Sequence, residues 1–155
     1  MSIYQNPNQF SITPQLGSPD LAFNFNTKSV QINPNSIGAF QVGTAVKLIA
    51  GAVPTILVDV AAGTEVIFGV IWSSLKKNVN LAPGKYVEIA CAGSVIYLEA
   101  AAAINRGALV EYVPAGTDGP EVQTKASGTT LGRALDQASG AGQLIRIEIQ
   151  PGAAA

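Results

Sequence analysis

Toward the end of the chain, apolar and polar residues alternate: over 143–150, Ile145, Ile147 and Ile149 fall on one side, with Leu144, Arg146, Glu148 and Gln150 on the other. A period of two marks a half-buried strand, whereas a helix would scatter these isoleucines around its circumference. Val66, Phe68, Val70 and Trp72 repeat the pattern, as do Ile96 with Leu98 and Val110 with Tyr112. Glycines punctuate the runs at Gly43, Gly63, Gly84, Gly93, Gly107, Gly119, Gly128 and Gly142. Their intervals, mostly about 9 to 14 residues, predict an all-β fold, a small β-barrel or sandwich over residues 38–150. Pro83-Gly84 has the composition of a type II turn. Residues 99–105 are too few for an unaided helix and read as a strand end closing at an Arg106-Gly107 turn, while one helical turn over Arg133 to Ala138 stays open.

Residues 1–37 have a different texture. They carry Pro7, Pro14, Pro19 and Pro34, six asparagines and four glutamines, and only Asp20 and Lys28 are charged. Each proline removes a donor and biases the residue before it toward extended geometry, so no helix is expected. Tyr4, Phe10, Phe23 and Phe25 are spaced along the segment, more apolar surface than a solvated linker needs. The segment therefore reads as an extended N-terminal arm, 1–37, whose four aromatics are protein-interface candidates; a solvated tail is the alternative. Residues 151–155 are a small, featureless tail that is expected to fray.

Composition narrows the function. Apolar residues make up 48% of the 155 and charged residues 12%, about half the usual ~25% of soluble domains. Either much of the surface is covered by partners, or the surface is built from alanine and glycine. A formal charge of -1 supplies no basic field for nucleic acid or anionic lipid. The first ten residues lack the pattern of a signal peptide, and the longest apolar candidate, 53–70, is interrupted by Pro54, Asp59, Gly63 and Glu65, so no membrane span and synthesis in the host cytoplasm are expected.

Candidate chemistry is sparse. There is no histidine, which removes the commonest general base and metal ligand. Cys91 stands alone, so no disulfide forms within the chain and a buried, inert thiol is expected. The ten carboxylates fall singly, no phosphate-loop or nucleophile-elbow pattern occurs, and the 139–143 run SGAGQ reads as a hairpin turn. Lys76-Lys77 reads as a solvated loop tip, and Trp72, Tyr86, Tyr97 and Tyr112 as core fillers before stacking platforms. No catalytic residue, cofactor-binding residue or metal ligand emerges, and the chain is not expected to be an enzyme.

From Gly38 to Pro151 the chain resembles the capsid cement, or head decoration, proteins of tailed bacteriophages. The residues that carry the likeness are GTEVIFGVI from Gly63, PGKYVEIACAGSVIYLEA from Pro83, INRGALVEYV from Ile104 and TLGRALDQASGAGQLIRIEI from Thr130. The resemblance implies a small β-barrel on the outer surface of a viral head that bridges neighbouring major capsid subunits, with copies of itself as further partners in a dimer or trimer. The long arm departs from the short N-termini of that family. A glycan-binding head-fibre or adhesin-type module is a second reading, and a third is an enzyme whose carboxylates converge in space.

Overall fold

A computed structural model of the chain describes residues 25–51, 55–72, 80–116 and 119–152. Its ten elements are all strands: β1 (Thr27–Ile32), β2 (Ala45–Leu48), β3 (Leu57–Val60), β4 (Gly69–Ile71), β5 (Tyr86–Ala90), β6 (Val95–Glu99), β7 (Leu109–Gly116), β8 (Gly119–Thr124), β9 (Thr130–Ala134) and β10 (Leu144–Ile149). The all-β expectation holds. The helical turn left open over Arg133 to Ala138 does not form: Arg133 and Ala134 end β9, and Ala138 forms a bridge with Ile104.

The first five strands close into a barrel in the order β1-β3-β2-β4-β5, sealed by an antiparallel β1–β5 pair running from Thr27↔Ala90 to Gln31↔Tyr86. The boundary expected at residues 37 and 38 is therefore corrected. Thr27–Ile32 lies inside the proposed arm, yet it is the strand that closes the barrel, and its Val30 and Ile32 are buried in the core. Proline and asparagine counts hid this strand because its two inward residues are too few to register as a periodic run. Residues 1–24 lie outside the described residues.

The last five strands form a second sheet in the order β6-β10-β9-β7-β8. It curls until its edges touch at the parallel bridge Ala100↔Val122, where the Ala101 N–H donates to the Val122 carbonyl at 2.8 Å.

These two halves repeat one design. In each, the first strand pairs with the fifth, the fifth with the fourth, the fourth with the second and the second with the third, all antiparallel; the third then meets the first in parallel. Registers coincide residue by residue: Leu48↔Val58 matches Tyr112↔Val122, Val46↔Gly69 matches Val110↔Gly132, and Ile71↔Ile89 matches Ala134↔Ile147. Bonds outside the ladders coincide too. Gly84 N–H donates to the Ile32 carbonyl at 3.0 Å, as Gly142 N–H does to Ala100 at 2.8 Å; Gly43 N–H donates to Ile71 and Gly107 N–H to Ala134, both at 2.8 Å. Gly43 and Gly107 hold φ of 92° and 85°, which only glycine adopts cheaply. Their shared neighbourhood is readable in sequence once aligned, AFQVGTAVKL from Ala39 against AINRGALVEY from Ala103.

Two cores result. Val30, Ile32, Val46, Val58, Ile71 and Ile89 fill the lumen of the first barrel. Alternate residues of the same strands, Ala45, Val70 and Ala90, point out through its wall and join Val42, Ala61 and Ile67 in a second cluster with the lumen of the second barrel. At Ala45-Val46, Val70-Ile71 and Ile89-Ala90 these strands are thus buried on both sides, which is why period two is weak there. It fails outright at Val66 to Trp72, where the sequence predicts alternation and only Gly69–Ile71 is strand. Phe68 and Ile71, three residues apart, pack in the same core while Val70 enters the other. In the matching pair the register shifts between Val110 and Glu111, a β-bulge that leaves Leu131 without a partner in β7.

Candidate docking surface

The two barrels are joined asymmetrically: the mouth of the second sits on the wall of the first. Tyr112, at the end of the second lumen, is only 4% exposed, and its hydroxyl is hydrogen-bonded to the Ala45 backbone and the Thr44 side chain. Burial pushes its phenol up to about 12 against those two opposing contacts. Beside it, Thr129 N–H donates to the Gly63 carbonyl at 2.7 Å. The turn that carries Thr129 is organised by Glu111, whose carboxylate accepts from Gln123 Nε2 at 2.7 Å, Ala126 N–H at 2.9 Å and Gly128 N–H at 2.6 Å. Burial works to raise the Glu111 pKa, but these donors and nearby Lys125 outweigh it and hold the carboxyl below its ordinary value.

On the first barrel the same positions face solvent. Leu48 corresponds to Tyr112 by its pairing with Val58 and is 53% exposed. Val66, which corresponds to Thr129 in the turn before the fourth strand, is 75% exposed. Ile56, two residues before Val58 and on the same face, is 37% exposed, whereas its counterpart Pro120 is buried. Among the described residues, three apolar side chains thus surround an open mouth. The polar groups beside it are already partnered: Lys47 Nζ meets Glu65 Oε1 at 2.5 Å, Glu65 Oε2 accepts from Ala62 N–H at 2.7 Å, and Asp59 accepts from Ser36 Oγ at 2.6 Å and Asn33 Nδ2 at 2.9 Å. Lys47 holds the Glu65 carboxyl below its ordinary value; at Asp59 burial pushes up, and the Ser36, Asn33 and Val60 donors prevail. These bonds make the rim rigid without offering a reactive group.

Of the four aromatics expected at an interface, Tyr4, Phe10 and Phe23 lie outside the described residues. Phe25 is placed, and it points inward: it is half-buried against the second core and meets Trp72 edge to face, centroids 4.6 Å apart at 84°. The next residue is clamped where the barrels meet, since Asn26 N–H donates to Ser94 Oγ at 2.9 Å and Cys91 N–H to the Asn26 carbonyl at 2.8 Å. Any segment preceding Phe25 therefore departs from a fixed point at the junction. Trp72 is half-buried in that contact, and Tyr112 is core as expected, but Tyr86 is 66% exposed on the first barrel's outer face. Cys91 is buried, which raises its thiol pKa. The Lys76-Lys77 doublet lies outside the described residues.

Leu48, Ile56 and Val66 were missed because isolated exposed apolar residues are common and mean nothing singly. Comparing the chain with itself supplies the signal, since in the other half each corresponding position is buried.

Among the described residues, then, strand-built barrels present an apolar mouth ringed by satisfied polar groups, and no group of three or more His, Cys, Asp or Glu is placed to hold a metal. That defines an all-β module with a candidate docking surface. Residues 52–149 match the phage cement protein family, and the chain belongs to it. No curated protein matches its sequence. Among solved structures it is similar to the head fiber gp8.5 N base of bacteriophage phi29, at 15% identity and a TM-score of 0.49, over 82% of this chain and 95% of that one.

Proposed function

We propose that the chain is a non-catalytic clip that binds the outer surface of a phage head and bridges neighbouring major capsid subunits. Membership of the phage cement protein family carries this reading, and the exposed apolar mouth supports it. A filled head is pushed outward, and a clip across a subunit boundary adds buried area that must be lost before the subunits part. A second attachment through residues 1–24, with Tyr4, Phe10 and Phe23, would form at high effective concentration once the barrel had docked.

The test is to add the purified chain to undecorated heads and measure binding stoichiometry and the temperature of head rupture. Saturable binding at a fixed ratio to the major capsid protein, with rupture moved upward, is the expected result. Binding that leaves rupture unchanged would overturn bridging, and absent binding would overturn the reading altogether. Removing residues 1–24, which spares β1, is expected to weaken attachment while leaving thermal unfolding of the body intact; unaltered attachment would remove the arm from the mechanism.

A further inference from the structure

We infer that the open mouth of the first barrel, at Leu48, Ile56 and Val66, docks onto a strand wall of small apolar residues on the capsid subunit. The inference rests on the capsid-binding role proposed above and names the surface that performs it.

The chain itself shows what such a mouth takes. The second mouth, with Tyr112, Pro120 and Thr129 at the corresponding positions, is closed by a wall of small and branched residues: Val42, Ala45, Ala61, Ile67, Val70 and Ala90. The joint is heterologous, mouth against wall, and a heterologous joint leaves one unused mouth and one unused wall. The unused mouth is apolar. The unused wall has been changed, since the second barrel carries Arg106, Leu109, Lys125, Thr130, Arg133 and Glu148 at the corresponding positions. Arg133 pairs across the strands with Glu148, and its Nη1 donates to the Gly107 carbonyl at 2.6 Å. Such a wall is the polar cap that ends a stack of repeats.

A second copy of the chain therefore has no free wall like the first to offer the open mouth. Its first wall is already covered by its own second barrel, and its second wall would place Arg106, Lys125, Arg133 and Glu148 against Leu48 and Val66, which costs desolvation with no compensating partner. The occupant is another protein whose wall resembles the first rather than the second. Exposure of 53% at Leu48 and 75% at Val66 is the free counterpart of 4% at Tyr112 and 1% at Thr129, so the missing contact is of the kind already made once inside the chain.

The experiment compares the full chain with a double variant, Leu48→Glu with Val66→Glu, and with Leu109→Glu on the capped wall as control. Each is followed by thermal unfolding, sedimentation velocity alone, and cosedimentation with undecorated heads. We expect unchanged unfolding and at least a tenfold loss of head binding for the double variant, and no loss for the control. Head binding within twofold of the natural chain would overturn the docking surface while leaving the cement role standing. A natural chain that sediments as a dimer, and a double variant that sediments as a monomer, would make the occupant a second copy and overturn the assignment to the capsid. Heads that bind no natural chain at all would overturn both. If the glutamates unfold the barrel, Leu48→Gln with Val66→Thr keeps the test, with at least a threefold loss expected and none overturning the docking surface.

Discussion

The first and second barrels share a frame and differ in what they hide. Ladder registers, turn bonds and positive-φ glycines recur pair by pair, so backbone geometry is held constant while side chains vary. Where the first barrel has Val70 and Ala90 the second has Arg133 and Glu148, and where the second has Tyr112 and Thr129 the first has Leu48 and Val66. The same strand pairing thus yields a buried wall in one case and a solvated one in the other. Even the turn before the fourth strand shows this. Ala62 N–H is bonded by Glu65, which Lys47 steadies, while Ala126 N–H is bonded directly by Glu111, which occupies the place of Lys47. Either arrangement satisfies the donor, but only the second is buried, with Glu111 5% exposed and held by three neutral donors.

The frame is most vulnerable where both barrels draw the second, fourth and fifth strands closest. A Cβ at Gly132 would overlap the Glu148 carbonyl oxygen, whereas one at Gly69 would stand 2.8 Å from the Ala90 oxygen and 2.9 Å from the movable end of Ile89. Backbone must shift in both, but further at Gly132, so Gly132→Ala should cost about 4 kcal/mol or more and Gly69→Ala about 2–3 kcal/mol. Chemical denaturation reads both. Equal losses would show that the two barrels are equally close at this point and that the difference in spacing has no energetic weight.

What was legible in the chain follows from the same contrast. The second barrel was read well because β10 has one face inward and one outward, so Ile145, Ile147 and Ile149 alternate cleanly, and because Gly107 sits where the strand-ending turn was expected. The first was read poorly. Its walls are buried on both sides at Ala45-Val46 and Val70-Ile71, which erases alternation, and β1 contributes Val30 and Ile32 amid polar neighbours. Phe25 is expected at an interface from its place in a proline- and asparagine-rich segment; composition does not report that it meets Trp72, nor that Asn26 is tied to Ser94, 68 positions away. The mouth was invisible for a further reason: exposure is a property of the partner surface, and only the buried counterpart reveals that Leu48 and Val66 lack one.

The joint between barrels can be loosened through one hydroxyl. Tyr112→Phe keeps the ring and removes the bonds to Ala45 and Thr44, for an expected loss of about 1–2 kcal/mol. The phenol also sets a pH limit. Its folded value, about 12, lies above the ordinary 10, so folding favours the neutral form. That contribution is complete below pH 10 and disappears as pH rises from 10 through 12, amounting to about 3 kcal/mol at about 1.4 kcal/mol per unit. Thermal unfolding followed from pH 9 to 12 should show a steeper decline in the natural chain than in Tyr112→Phe, which keeps only the part due to other groups such as the buried Cys91 thiol. Parallel curves would mean that the hydroxyl is not buried in the joint.

The smallest change should run the other way. Thr129 is 1% exposed, and its Oγ1 has no hydrogen-bond partner, while its N–H bond to Gly63 would survive any side-chain substitution. A buried hydroxyl without a partner forfeits hydration and gains nothing in exchange. The first barrel already carries the apolar residue of the same shape, Val66, at the matching position. Thr129→Val should therefore stabilise the chain by about 0.5–1 kcal/mol, a rise of about 2–3 °C in melting temperature for a domain of this size. The reverse exchange, Val66→Thr, alters a residue that is 75% exposed and should stay within about 0.5 kcal/mol. If Thr129→Val instead destabilises by more than about 1 kcal/mol, its hydroxyl contributes to the joint, and the second barrel's mouth would be closed by specific bonding as well as by apolar contact. The open mouth of the first barrel, with valine there, would then require a different kind of wall.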